Sequence, residues 1–104
     1  MLVVTTEAVP GREVAEALGL VKGSTVRAKH VGSDIVAAFR NLVGGEVREY
    51  AALLGGAREQ ALDRMAEEAR ALGADAVVGV RLETSTIQAA ASEVVAYGTA
   101  VRLK

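Results

Sequence analysis

Apolar side chains recur every three or four positions through the middle of this chain, at Val47, Tyr50, Leu54, Ala57, Ala61, Met65, Ala69 and Leu72. That spacing predicts one long amphipathic helix with a single buried stripe. Its other surface carries Arg58, Glu59, Asp63, Arg64, Glu67, Glu68 and Arg70, which solvate it, and Gly73 stands where a helix stop belongs. Gly55-Gly56 falls inside the stripe at a cost of about 1 kcal/mol per glycine, so the reading is one helix with a weak point.

After Gly73 the period changes to two. Ala76 to Ile87 sets Ala76, Val78, Val80 and Leu82 on one face and Val77, Gly79, Arg81, Glu83 and Ser85 on the other. Glu93 to Leu103 is apolar on both faces: Val95, Tyr97, Thr99, Val101 and Leu103 on one, Val94, Ala96, Gly98 and Ala100 on the other. Since helices shield one face of a small sheet, the Val94-to-Ala100 face is expected to lie against another subunit. Alternation from Leu20 gives a third strand, with Val26, Ala28 and His30 opposite Thr25, Arg27 and Lys29, ending at Gly32. Leu2 to Thr6 reads as a short strand, and Pro10 fits the first turn of a short helix from Arg12 to Leu18 that Gly19 closes. A second short helix spans Asp34 to Val43, with Ser33 as cap and Ile35, Ala38, Phe39 and Leu42 at helical spacing. The predicted fold is a single α+β domain over 1–104: two layers, a mainly antiparallel sheet backed by one long and two short helices.

Composition narrows the chemistry. Twelve basic and thirteen acidic side chains give a formal net charge of −1, without the basic field that nucleic acid or anionic lipid attracts. Cysteine is absent, which removes disulfides, thiol nucleophiles and thiolate metal sites. No apolar run approaches the roughly twenty residues of a membrane span, and the first residues lack the pattern of a secretory signal, so a cytoplasmic location is expected. Only Phe39, Tyr50 and Tyr97 are aromatic, leaving the core to Val, Leu, Ile and Ala.

Candidate sites are sparse, and each has a plainer explanation. His30 with Asp34 across a turn offers two hard-cation ligands, but His30 also continues an alternating strand. Gly44-Gly45 before Glu46 resembles an anion-binding helix entry, yet the lysine and hydroxyl of a phosphate loop are missing and Glu46 repels an anion. Thr84-Ser85-Thr86 with Thr5 and Thr6 could line a pocket, although hydroxyls are common at strand edges. Glu83 and Glu93 flank one hairpin as a conceivable acid and base pair, but surface charge or subunit salt bridges explain them more simply. No catalytic set and no metal ligand set is assigned, and His30 has no nucleophile partner. A composite site between subunits would draw on Arg27, Arg81, Glu83 and Tyr97.

The order Thr5-Thr6, Pro10-Gly11, Leu18-Gly19, Gly44-Gly45-Glu46, Tyr50, Leu53-Leu54, Ala57-Arg58, Ala61, Leu72-Gly73-Ala74-Asp75-Ala76-Val77-Val78-Gly79-Val80-Arg81 and Tyr97-Gly98-Thr99-Ala100-Val101 resembles the YbjQ family, also called a heavy-metal-binding domain, over essentially the whole chain. The resemblance implies a small cytosolic protein of bacteria or archaea whose helix-backed antiparallel sheet assembles into a homopentameric ring, with no assigned biochemical role. Its metal label sits poorly on this chain: with no cysteine, one histidine and two methionines, a soft-metal site has almost nothing to be built from. The expected function is therefore a non-enzymatic ring that binds itself and serves as an interaction module, with neither nucleic acid nor membrane as partner. The alternative is a metal or small-ligand binder, or an enzyme with a site between subunits.

Overall fold

The structure is a computed structural model that describes residues 1–28, 45–88 and 91–104. The described residues form an α+β protein with a four-stranded mixed sheet and one helix. The strands are β1 (Leu2–Val3), β2 (Val14–Ala28), β3 (Ala76–Gln88) and β4 (Ala91–Leu103), and the helix α1 runs Gly45–Ala71. Sheet order is β1-β3-β4-β2, antiparallel except where β1 pairs in parallel with the start of β3.

The long helix forms where the apolar stripe requires it. Ala57, Ala61, Met65 and Ala69, four residues apart, are all fully buried. Backbone hydrogen bonds close its end in a Schellman arrangement, with the Gly73 N–H donating to the Arg70 carbonyl at 2.9 Å and the Ala74 N–H to the Ala69 carbonyl at 3.1 Å. The helix continues through Gly55-Gly56 without division, because the neighbouring Ala, Leu, Glu and Arg residues are strong helix formers.

The predicted helix Arg12–Leu18 is a strand instead. Seven residues, good helix formers apart from Val14, are too few to hold a helix by propensity alone, and pairing with the end of β4 outweighs it. Val14 lies opposite Leu103 and Ala17 opposite Val101, while the Glu16 carboxylate meets the Arg102 guanidinium at 3.1 Å. Pro10 falls in a turn whose Arg12 N–H donates to the Val9 carbonyl at 3.1 Å, and the strand expected from Leu2 to Thr6 is shorter, ending at Val3. One short helix is thus removed, and the other, at Asp34–Val43, lies outside the described residues.

Two bulges change which side chains share a face. Gly19 in β2 and Gly79 in β3 have φ of 120° and 62°, values that side-chain-bearing residues rarely adopt, and the register slips beside each. An extra residue inverts the alternation beyond it. In β3 the strict period would put Ala76, Val78, Val80 and Leu82 together. The bulge at Gly79 instead turns Val77 and Val80 towards the helix, while Ala76 and Val78 join Val9 and Val101 in a smaller cluster on the opposite face.

The main core lies between α1 and the sheet: Val21, Val77, Val80, Val94, Ala96 and Ala100 against Ala57, Ala61, Met65 and Ala69. This reverses the expected use of β4. The Val94-to-Ala100 face lies under the helix, and Val95, Tyr97 and Thr99 point the other way and are half-buried. In β2 the Thr25 and Arg27 face turns to the helix, with Thr25 buried at 3% exposure and Val26 standing 57% exposed. The Thr25 hydroxyl donates to the Ala57 carbonyl at 2.7 Å, which satisfies the buried group. Gly23 lets the layers approach so closely that a Cβ there would overlap the backbone of Ala61 and Met65.

Candidate interaction face

The sheet surface facing away from α1 brings together Arg81, Glu83 and Tyr97. Cross-strand register arranges it in four rows over β2, β4 and β3. The first is Leu20–Thr99–Val78 and the second Lys22–Tyr97–Arg81. Ser24–Val95–Glu83 and Val26–Glu93–Ser85 follow. The N-terminal segment covers only one end, where Val9 closes over Ala76, Val78 and Val101. Beyond it, Leu20 is 67% exposed and Lys22, Ser24, Arg81, Glu83 and Ser85 are also exposed.

Arg81 ties this face to the N-terminal segment, since its Nη1 donates to the Thr5 carbonyl at 3.0 Å and to its own neighbour's carbonyl, Val80, at 2.9 Å. Beside it lies an open depression of about 490 Å³ whose lining includes Glu7, Ala17, Arg81 and Thr99. A second, of about 450 Å³, adjoins Lys22, Ser24, Glu93 and Val95. Both are shallow surface features, and the second reaches past the edge of β2 to Glu68 of α1.

The sequence candidates separate on this framework. Of the residues considered for a composite site, Arg81, Glu83 and Tyr97 share the outer face. Arg27 is on the helix side, where its Nη2 donates to the Gln60 Oε1 at 2.8 Å. Glu83 and Glu93 are diagonal neighbours on the outer face, on adjacent strands whose diagonal positions lie about 7–8 Å apart. Thr5, Thr6, Thr84, Ser85 and Thr86 are exposed and do not converge on either depression; the Thr6 hydroxyl donates to the Ala8 carbonyl at 2.6 Å. His30, Asp34 and Gly44 lie outside the described residues, and Gly45 opens α1. Lys22, Leu20 and Val26 were not singled out from the sequence. Their signal is an apolar, cationic and apolar alternation on one strand, which only the register shows to face outward.

Metal chemistry finds little support in the donor set. Among the described residues no three His, Asp or Glu side chains gather, and the chain has no cysteine. Met65 is fully buried in the core, its thioether committed to packing against the sheet. The described residues do not fit a soft-metal centre. No helix of the described residues is long and apolar enough to cross a membrane.

A helix-backed sheet with an open outer face defines a two-layer α+β protein without a catalytic constellation among its described residues. By its sequence the chain belongs to the YbjQ family, described as "Putative heavy-metal-binding", whose model matches residues 1–104. It is similar to a UPF0145 protein of Archaeoglobus fulgidus, 61% identical over 104 residues, covering 100% of this chain and 96% of that protein. A UPF0145 protein of Halobacterium salinarum is 61% identical over 100 residues, covering 96% of each. Another, of Thermus thermophilus, is 59% identical over 104 residues and covers 100% of this chain and 91% of that protein. Among solved structures, a Pediococcus pentosaceus protein of unknown function, assigned to the DUF74 family, aligns with a TM-score of 0.63 at 15% identity, covering 100% of this chain and 98% of that one. That likeness is one of fold.

Proposed function

We propose that this protein is a cytosolic, non-enzymatic homo-oligomer that serves as a binding or interaction module, with five copies in a ring as the family resemblance suggests. The observation that carries self-association is the outer sheet face, where exposed Leu20 and Val26 flank half-buried Val95 and Tyr97. Apolar groups left in water favour burial by about 25 cal/mol per Å² of apolar surface covered. The near-neutral charge suits a partner of equal charge, which a second copy is.

Native mass spectrometry at micromolar concentration tests this. A multiple of the 10.7 kDa subunit mass is expected, and a sharp monomer overturns it. A second reading makes the depression beside Arg81 and Thr99 part of a small-ligand site that a neighbouring subunit completes. It is favoured by one cation, one hydroxyl and Glu7 lining the same dip, and a ligand retained in the native spectrum would support it. The family's metal label is tested separately by titrating zinc and copper(I). Heats that vanish in His30→Ala would assign a metal role to His30.

A further inference from the structure

The groups lining the depression beside Arg81 select a ligand by charge and by length. We infer that it binds a free α-amino acid with a large apolar side chain, the carboxylate on Arg81, the ammonium on Glu7 and the side chain running towards Val14 and Ala17. This rests on the small-ligand reading above and adds the class of ligand and the residue that meets each of its groups.

The depression is built on the bulge at Gly79. Three backbone hydrogen bonds fasten the N-terminal segment along it: the Val4 N–H donates to the Val77 carbonyl at 2.9 Å, the Val80 N–H to the Val4 carbonyl at 3.1 Å and the Gly79 N–H to the Thr6 carbonyl at 2.8 Å. Glu7, the next residue, is thereby brought to the same depression as Arg81. A Cβ on Gly79 would meet nothing within 4 Å, so the space beside the bulge is open. Arg81 is anchored by Nη1 alone, on the Thr5 and Val80 carbonyls. Its Nε and Nη2 form the edge that grips a carboxylate in bidentate fashion, and among the described residues these donors have no partner. The half-buried Thr99 adds a hydroxyl donor from the neighbouring strand.

Charge narrows the ligand class. Arg81 alone would suit any small anion, but Glu7 lines the same space and repels one, and a lone cation meets the reverse. A zwitterion satisfies both. Among the described residues neither Arg81 nor Glu7 has an ion-pair partner, whereas Glu13 and Glu16 are paired with Lys104 and Arg102. Length narrows it further. From Arg81 on β3 the depression crosses Thr99 on β4 to Val14 and Ala17 on β2, two strand spacings or about 10 Å. Val14 is 39% exposed and Ala17 is exposed, so both offer apolar surface for a side chain to cover. Phenylalanine has that reach, and glycine does not.

The test follows backbone amide chemical shifts of the full chain in its native assembly while phenylalanine, N-acetylphenylalanine, phenylalaninamide, glycine or inorganic phosphate is added to millimolar concentration. Phenylalanine should move Gly79, Arg81 and Thr99 and bind at least about fivefold more tightly than either blocked form, since each blocked form lacks one charge. Glu7→Gln, an exposed substitution that leaves Arg81 and its anchoring bonds in place, should erase the preference over N-acetylphenylalanine and keep the preference over the amide. Arg81→Gln should do the reverse. Glycine should bind more weakly than phenylalanine, and equal binding would overturn the role of Val14 and Ala17. Equal binding of phenylalanine and its two blocked forms at these residues, or phosphate moving them where phenylalanine does not, would overturn the amino-acid assignment and leave the small-ligand reading standing. Shifts at none of these residues with any of the compounds would overturn both.

Discussion

One sheet presents two faces of similar apolar content to different surroundings. On the helix side Val21, Val77, Val94, Ala96 and Ala100 are closed over by alanines and Met65, and the small residues let the layers come close. On the outer side larger groups, Leu20, Val26, Tyr97 and Val95, alternate with Lys22, Arg81, Glu83 and Glu93. Small apolar residues therefore mark the core, and the larger apolar residues set among charges mark the face that the helix leaves open. The distinction is physical. A fixed helix must be packed without voids, whereas an open face must remain compatible with water.

Substitutions on the two sides should separate accordingly. Met65→Ala should have the largest effect, lowering the unfolding free energy by about 2–5 kcal/mol in urea denaturation, because the fully buried thioether leaves a cavity beneath the sheet. Gly23→Ala should follow at about 1–3 kcal/mol, since the added methyl overlaps the helix backbone, while Ser24→Ala, the next residue but on the outer face, should stay within about 0.5 kcal/mol. If the two cost the same, the assignment of the faces is wrong. The smallest core effect, about 1 kcal/mol, is expected for Thr25→Val, which keeps the shape and removes the hydroxyl bonded to the Ala57 carbonyl.

Much of this fold can be read in the sequence. The long helix was legible because eight apolar positions kept helical spacing and Gly73 supplied its stop. β3 and β4 were legible because their residues are β-branched and alternate. The Arg12–Leu18 segment was misread because Glu13, Ala15, Glu16, Ala17 and Leu18 carry no strand signal of their own; their partners, 101 to 103, lie more than eighty positions away. The faces were misread for a related reason. In β3 the extra residue at Gly79 moves every later side chain to the other side, and β4, apolar on both faces and unbroken, carries no local signal of which face the helix takes. Of the outer face, Arg81, Glu83 and Tyr97 were recognised as candidates, but their row neighbours Lys22 and Leu20 were not, since only the register of β2 on β4 brings them together.

The sequence by itself determined the element types of the C-terminal half, the family, the absence of thiol chemistry and a core made of small aliphatic residues. These depend on composition and on spacing within a few turns, where the chain is its own neighbour. Only the tertiary structure decided that Val14–Ala28 is one bulged strand, that Val94, Ala96 and Ala100 lie under the helix, and that Tyr97 stands between two cations on the opposite face. Those outcomes depend on pairing between distant segments, and a one-residue shift in that pairing exchanges inside for outside.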